Sequence, residues 1–170
     1  MSARVLVAGI GNVFFGDDAF GVEVARVLKD AELPAETKVM DVGIRGVHLA
    51  FELLDPVDML VLVDCAARGG KPGTVYLIDP EVDAWPCDDS RPDAHVMNPR
   101  AVLAAVKDMG GKIPKTRIVG CEPADVSEGM YLSDPVRQAI APAVEMIHRL
   151  IRNEVMHEQA PKARGPAARA

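Results

Sequence analysis

Apolar residues along this chain follow two rhythms, short continuous runs and longer stretches with helical spacing. Val5 to Ala8 is a run of β-branched and aliphatic side chains that ends in Gly9-Ile10-Gly11-Asn12. Such a run, with no polar alternation, predicts a strand covered on both faces whose carboxyl end opens into a tight loop. From Ala19 to Leu28, Phe20, Val24, Val27 and Leu28 recur at helical spacing behind Asp17 and Asp18, whose charges suit a helix amino end. Thr37 to Val42 predicts a second strand, and Leu49, Leu53 and Leu54 mark a helix after Gly43-Ile44-Arg45-Gly46. Met59 to Val63 is the most hydrophobic run, ends on Asp64 and reads as the central strand. Thr74 to Ile78 follows after a short Gly- and Pro-rich turn, so it should pair antiparallel or lie at an edge. Pro99 to Met109 reads as a helix with Val102, Leu103 and Val106 on one face, and Thr116 to Gly120 as the last strand. Ser133-Asp134-Pro135 predicts an N-cap on Ser133 and a final helix with Val136, Ile140, Val144, Ile147 and Ile151 as its apolar stripe, kinked at Pro142.

This order of elements predicts a single α/β domain, a mostly parallel, twisted five-stranded sheet with helices on both faces. Ligands in such sheets bind beyond the carboxyl ends of the strands. A length of 170 residues with 49% hydrophobic and 4% aromatic content fits one aliphatic core. The domain should span residues 1–156, followed by a disordered, Ala-, Pro- and Arg-rich tail over 157–170. Asp79 to Ala94, with its prolines, acids and the sole Trp, reads as a long surface loop. The net charge of −6, with no basic patch in the folded part, argues against a nucleic-acid partner. Cys65, Cys87 and Cys121 show no C-x-x-C spacing, so reduced thiols and a cytoplasmic location are expected. No stretch is long enough for a signal or membrane segment, and a monomer is the expectation.

The candidate chemistry lies in acids at the predicted strand ends: Asp17 and Asp18 after the first, Asp41 at the second, Asp64 at the third. In a parallel sheet those ends converge on one rim, where clustered carboxylates repel unless a cation or a proton intervenes. Taken singly, each is more readily read as a cap of a turn or helix. His95, in the later loop, gains interest only in company, because two carboxylates and an imidazole suit a borderline divalent metal such as nickel or zinc. His48, His148 and His157 fall on helices or the tail and read as surface or core residues. A dinucleotide loop is a poor fit, since Phe14 replaces the third glycine and Asp17 and Asp18 bring charge where a pyrophosphate would sit. Cys65 has no neighbouring base and reads as inert packing, and no G-x-S-x-G elbow is present.

Val5-Leu6-Val7-Ala8-Gly9-Ile10-Gly11-Asn12, Gly16-Asp17-Asp18 and Gly21-Val22 together resemble the opening signature of nickel-iron hydrogenase maturation endopeptidases. The resemblance continues through Asp41-Val42-Gly43-Ile44-Arg45-Gly46, the strand ending in Asp64, and His95 with Met97 and Pro99. It then takes in Gly120-Cys121-Glu122-Pro123 and Leu132-Ser133-Asp134-Pro135-Val136. It implies a peptidase that cleaves the large subunit of a nickel-iron hydrogenase near its C-terminus once nickel is inserted. By position it places metal recognition on Asp18, Asp64 and His95, catalysis on Asp18 or Asp64, and substrate binding or orientation on Asp41. The nickel would come with the substrate, so no tightly bound metal is expected in the free protein. The large-subunit precursor would be the partner. A rival from another class is a non-catalytic nickel-binding assembly chaperone for the same partner.

Overall fold

Runs of branched aliphatic side chains form strands where both of their faces can be covered, and the two longest such runs here are the most enclosed strands. A computed structural model describes residues 3–34, 36–80 and 99–159 of the chain. The strands are Val5–Ile10 (β1), Thr37–Gly43 (β2), Met59–Cys65 (β3), Val75–Ile78 (β4) and Lys115–Cys121 (β5). Every residue of β1 and β3 is buried. The five strands form one sheet in the order β2-β1-β3-β5-β4. The pairs β1–β2, β1–β3 and β3–β5 are parallel, and β4 runs antiparallel to β5 at the edge.

Helices cover both faces: Phe20–Lys29 (α1), Gly46–Glu52 (α2), Pro99–Asp108 (α3) and Asp134–Gln159 (α4). The period of two along a strand decides which side chains meet which helices. Val5, Val7, Met59, Val61, Val63 and Val119 share one core with residues of α1 and α4 such as Phe20, Leu28, Val136 and Ile147. Leu6, Ala8, Leu60, Leu62 and Ile118 point the other way, into a second core with Leu49 and Leu53 and with Val102 and Val106 of α3. Glycine lets α1 lie directly on the strands. A Cβ built on Gly21 would sit 2.0 Å from the carbonyl oxygen of Val63 and 2.3 Å from that of Ile10. The beginning of α1 is thereby fixed against the carboxyl ends of β1 and β3.

Several sequence expectations are corrected in detail. β3 runs on through Asp64 to Cys65. The buried face of α1 is centred on Gly21, Val24, Ala25 and Leu28, which turns Val27 outward to 47% exposure. In α4 the enclosed stripe is Val136, Ala139, Ala143, Ile147 and Ile151, while Ile140 and Val144 lie at its margin. The small alanines let the helix approach the sheet closely, which the larger residues flanking them do not. α4 continues through Pro142, which lies on its exposed side. It also reaches Gln159, so the first residues assigned to the tail are helical. Residues 160–170, and Cys87 and most of the expected loop after β4, lie outside the described residues. No helix among the described residues is long and apolar enough to cross a membrane.

Candidate functional site

The loop leaving β1 is a compact coil that presents two adjacent acids to different surroundings. Gly11 has φ +140°, and a Cβ on it would lie 1.8 Å from the carbonyl oxygen of Asp18, so only glycine fits there. Asn12 accepts the Phe14 N–H on its side chain at 3.0 Å, and Phe15 donates its N–H to the Asn12 carbonyl at 3.2 Å. The chain then enters a 3-10 turn, Gly16–Ala19, that leads into α1. On this turn the Asp18 carboxylate, only 6% exposed, accepts the Asn12 N–H at 3.0 Å. That amide is one a phosphate at the strand end would need, so the loop is built around a carboxylate of its own and the nucleotide reading fails.

Asp17 points inward. Its Oδ2 accepts the N–H groups of Ala124 and Asp125 at 2.8 and 2.9 Å and the Ser133 hydroxyl at 2.8 Å, while Oδ1 accepts the Ser133 N–H at 2.7 Å. Its own N–H donates to the Asp125 carbonyl at 2.8 Å. Asp17 therefore ties the acid turn to the loop between β5 and α4. Ser133 directly precedes α4, as expected of its N-cap, and its carbonyl accepts the Arg137 N–H at 2.9 Å, while its hydroxyl donates to the buried Asp17 carboxylate.

Asp64 occupies the carboxyl end of β3, in register with Gly120 of β5, and is 7% exposed. Its Oδ1 accepts the N–H of Cys65 at 2.8 Å. Burial pushes its carboxyl up from 3.8 to about 8, against the smaller opposing effect of that hydrogen bond. The neutral acid is therefore the favoured form at neutral pH. The 3-10 turn packs on β3, and Gly21, three residues after Asp18, rests on Val63, the neighbour of Asp64. Asp18 and Asp64 thus belong to one rim.

Asp41, half-buried, pairs with Gly9 near the end of β2, just before a bulge at which Ile10 pairs with Gly43. Arg45 donates to the carbonyls of Asp41 and Val42 at 3.1 and 3.4 Å and fixes this corner of the rim. His95, the third expected metal-recognising residue, lies outside the described residues. Among the described residues, no three His, Cys, Asp or Glu side chains converge to hold an ion.

Glu122 follows β5 and meets the same strand-end criterion as the other acids, yet no role was read for it from the sequence. It is 6% exposed and accepts the N–H groups of Arg68 and Gly69 at 2.8 and 3.2 Å and the Tyr76 hydroxyl at 2.9 Å. Burial alone would raise its carboxyl, but these donors hold it below the usual range. Glu122 is an anchor for the turn before β4. The thiols of Cys65 and Cys121 are buried neighbours across β3 and β5. Burial, then the nearby Asp64, raises the Cys65 thiol, and burial with Asp17 and Glu122 pushes Cys121 up to about 12. Both stay protonated at neutral pH, which leaves no thiolate nucleophile among the described residues.

A sequence profile of hydrogenase maturation proteases matches residues 22–150, more than half of the chain. The chain belongs to the hydrogenase maturation protease family. By that kinship it is a protease. The hydrogenase expression/formation protein HupD of Rhizobium leguminosarum bv. viciae is 31% identical over 153 residues, covering 88% of this chain and 75% of that one. The hydrogenase 2 maturation protease of Escherichia coli K12 is 27% identical over 151 residues, covering 88% of this chain and 91% of that protein. The solved structure of the hydrogenase maturating endopeptidase HybD from E. coli superposes with a TM-score of 0.76 at 28% identity, covering 88% of this chain and 93% of that one. The five-stranded, mostly parallel sheet with flanking helices is thus the architecture of a known maturation endopeptidase.

Proposed function

We propose that this member of the maturation protease family removes a C-terminal peptide from the large-subunit precursor of a nickel-iron hydrogenase after nickel insertion. In this reading Asp18, Asp64 and His95 recognise the nickel carried by the precursor, and Asp41 orients the polypeptide. The observation that carries it is the enclosure of Asp18 and Asp64 at one rim of the sheet, with Asp64 held neutral by burial. The names of the relatives, which refer to hydrogenase formation and maturation, add support.

The chemistry of the donors suits the task. Carboxylate oxygens with an imidazole form a mixed set for a borderline divalent ion. A neutral Asp64 spares the metal-free protein two buried like charges at the rim. Arrival of a cation favours the ionised form, so Asp64 releases its proton as the substrate's nickel is engaged. The free protein then holds no metal tightly, and productive binding requires a partner that already carries nickel. In cleavage, water adds to the scissile carbonyl, a proton passes from that water to the leaving amine, and the C–N bond breaks. An ionised Asp64 or Asp18 within reach of that water serves as the proton carrier.

Incubation of the purified protein with nickel-loaded precursor, followed by intact mass measurement, tests the reading. The expected result is loss of a C-terminal peptide, abolished by Asp18→Asn, Asp64→Asn and His95→Ala each. An intact precursor in a stable complex would instead assign the chain a chaperone's role.

A further inference from the structure

A cavity of about 480 Å³ lies between the acid turn and the amino end of α4, and neither the fold nor the proposed nickel site uses it. Val13 and Ala19, Met130, Tyr131 and Leu132, and Ile140 form its apolar lining, with Glu23, Arg26 and Arg137 at its edge. Ala19 directly follows Asp18, and Val13 directly follows Asn12, whose N–H binds the Asp18 carboxylate. Two short stretches of chain thus connect the cavity lining to the turn that carries Asp18.

Two neighbouring exposed side chains form its outer wall. Met130 and Tyr131 are 72% and 63% exposed, on a loop that is pinned in place. Gly129 accepts the N–H of Gly16 and donates its own to the Phe14 carbonyl, both at 2.8 Å. Ser133, beyond Leu132, is bound to Asp17. Two large apolar side chains are thus held out toward solvent by a rigid frame, a pre-organised arrangement that lowers the cost of binding. The arginines at the edge are already occupied: Arg26 pairs with Glu23, and Arg137 binds Asp134 at 2.6 Å and the Leu132 carbonyl at 2.7 Å. These contacts give both guanidiniums a partner, and the apolar part of the lining, the larger share of its surface, is left to meet an uncharged side chain.

We propose that this cavity is a specificity subsite, which receives an apolar side chain of the precursor polypeptide close in sequence to the bond that is cut. The proposal rests on the proteolytic reading of the Asp18–Asp64 rim. An extended chain advances roughly 3.3 Å per residue, so a segment whose scissile bond lies at the rim places a side chain a few residues away into the adjoining cavity. Substrate choice would then have two parts, nickel at the rim and an apolar anchor beside it.

The test is a steady-state comparison of wild type, Met130→Ala/Tyr131→Ala and Met156→Ala on nickel-loaded precursor. Both sites are exposed, and Met156 lies near the far end of α4. Loss of the apolar wall should raise KM about tenfold with kcat within about twofold and an unchanged melting temperature, while Met156→Ala behaves as wild type. Replacing by Asp, one at a time, the apolar precursor residues that flank the cleavage position should reproduce the KM effect at one of them. An unchanged KM in the double variant, or a fall in kcat alone, overturns the subsite. So does light scattering that shows the double variant converting a wild-type dimer to monomer, because the surface would then belong to a second copy. Asp64→Asn is run alongside. Full processing by that variant sinks the proteolytic assignment of the rim, whereas an inactive Asp64→Asn with an unaffected double variant sinks the subsite alone.

Discussion

Ser133 donates both its backbone N–H and its hydroxyl to the buried carboxylate of Asp17, at 2.7 and 2.8 Å. One acid thereby closes the loop before α4 onto the turn that carries the next acid, Asp18. Asp17→Asn keeps the shape but turns an NH2 toward backbone donors, so it should destabilise the protein by ~2–4 kcal/mol. Ser133→Ala removes one of four donors and should cost about 1 kcal/mol. Urea denaturation of the two variants measures both. Equal, negligible losses would mean that Asp17 does not hold the loop.

The sheet was legible because its strands are continuous aliphatic runs, and a run such as Leu60-Val61-Leu62-Val63 admits few readings other than an enclosed strand. Convergence of strand-end acids followed from parallel topology alone, and it placed Asp18, Asp41 and Asp64 on one rim. The same rule could not divide Asp17 from Asp18. What separates them is a set of donors from residues 124–133, more than a hundred positions away in sequence. Nor could it show that Glu122 anchors the turn before β4, since two of its partners are backbone N–H groups that carry no residue signature and the third, Tyr76, lies 46 positions away. The N-cap position of Ser133 was legible in Ser133-Asp134-Pro135, but its second task, holding the buried Asp17 carboxylate, depends on a partner that only the tertiary fold supplies.

The Asp64 carboxyl sets a pH dependence with a defined sign. In the unfolded chain it loses its proton near 3.8, whereas in the folded protein it keeps it to about 8. Between those values the unfolded state binds fewer protons, so this group's contribution to stability falls as pH rises from about 4 to about 8 and is level above. Asp64→Asn, which keeps an acceptor for the Cys65 N–H, removes that penalty. It should stabilise the metal-free protein by ~2 kcal/mol or more at pH 8 while abolishing processing. Thermal melts of both proteins at pH 5 and pH 8 check this, and a variant that melts lower at pH 8 would contradict it.

Truncation after Arg152, harmless if the C-terminal stretch were all tail, now has a cost. It removes Val155, which packs against the α1–α4 core, and Glu154, which pairs with Lys115 at 2.6 Å. The exposed part of that ion pair contributes little, and most of the loss should come from Val155 and the fraying of Ile151, together about 1–2 kcal/mol. A chain ended after Gln159 should melt at the full-length temperature. Differential scanning calorimetry of the two truncations separates helix from tail.

Gly21 offers the sharpest test of how the fold positions the rim. An alanine there places Cβ against the backbone oxygens of Val63 and Ile10, neither of which can swing aside, so α1 itself must lift from the sheet. The cost should be ~3 kcal/mol or more. Because α1 begins just after Asp18, the shift also separates Asp18 from Asp64, and processing at a temperature where the variant is still folded should fall at least tenfold. Gly69→Ala is the control. Nothing lies within 4 Å of its added Cβ, and the strain of φ +79° should cost only about 1 kcal/mol with processing retained. Matched losses of stability and activity in the two variants would show that the close approach of α1 is not what sets the rim.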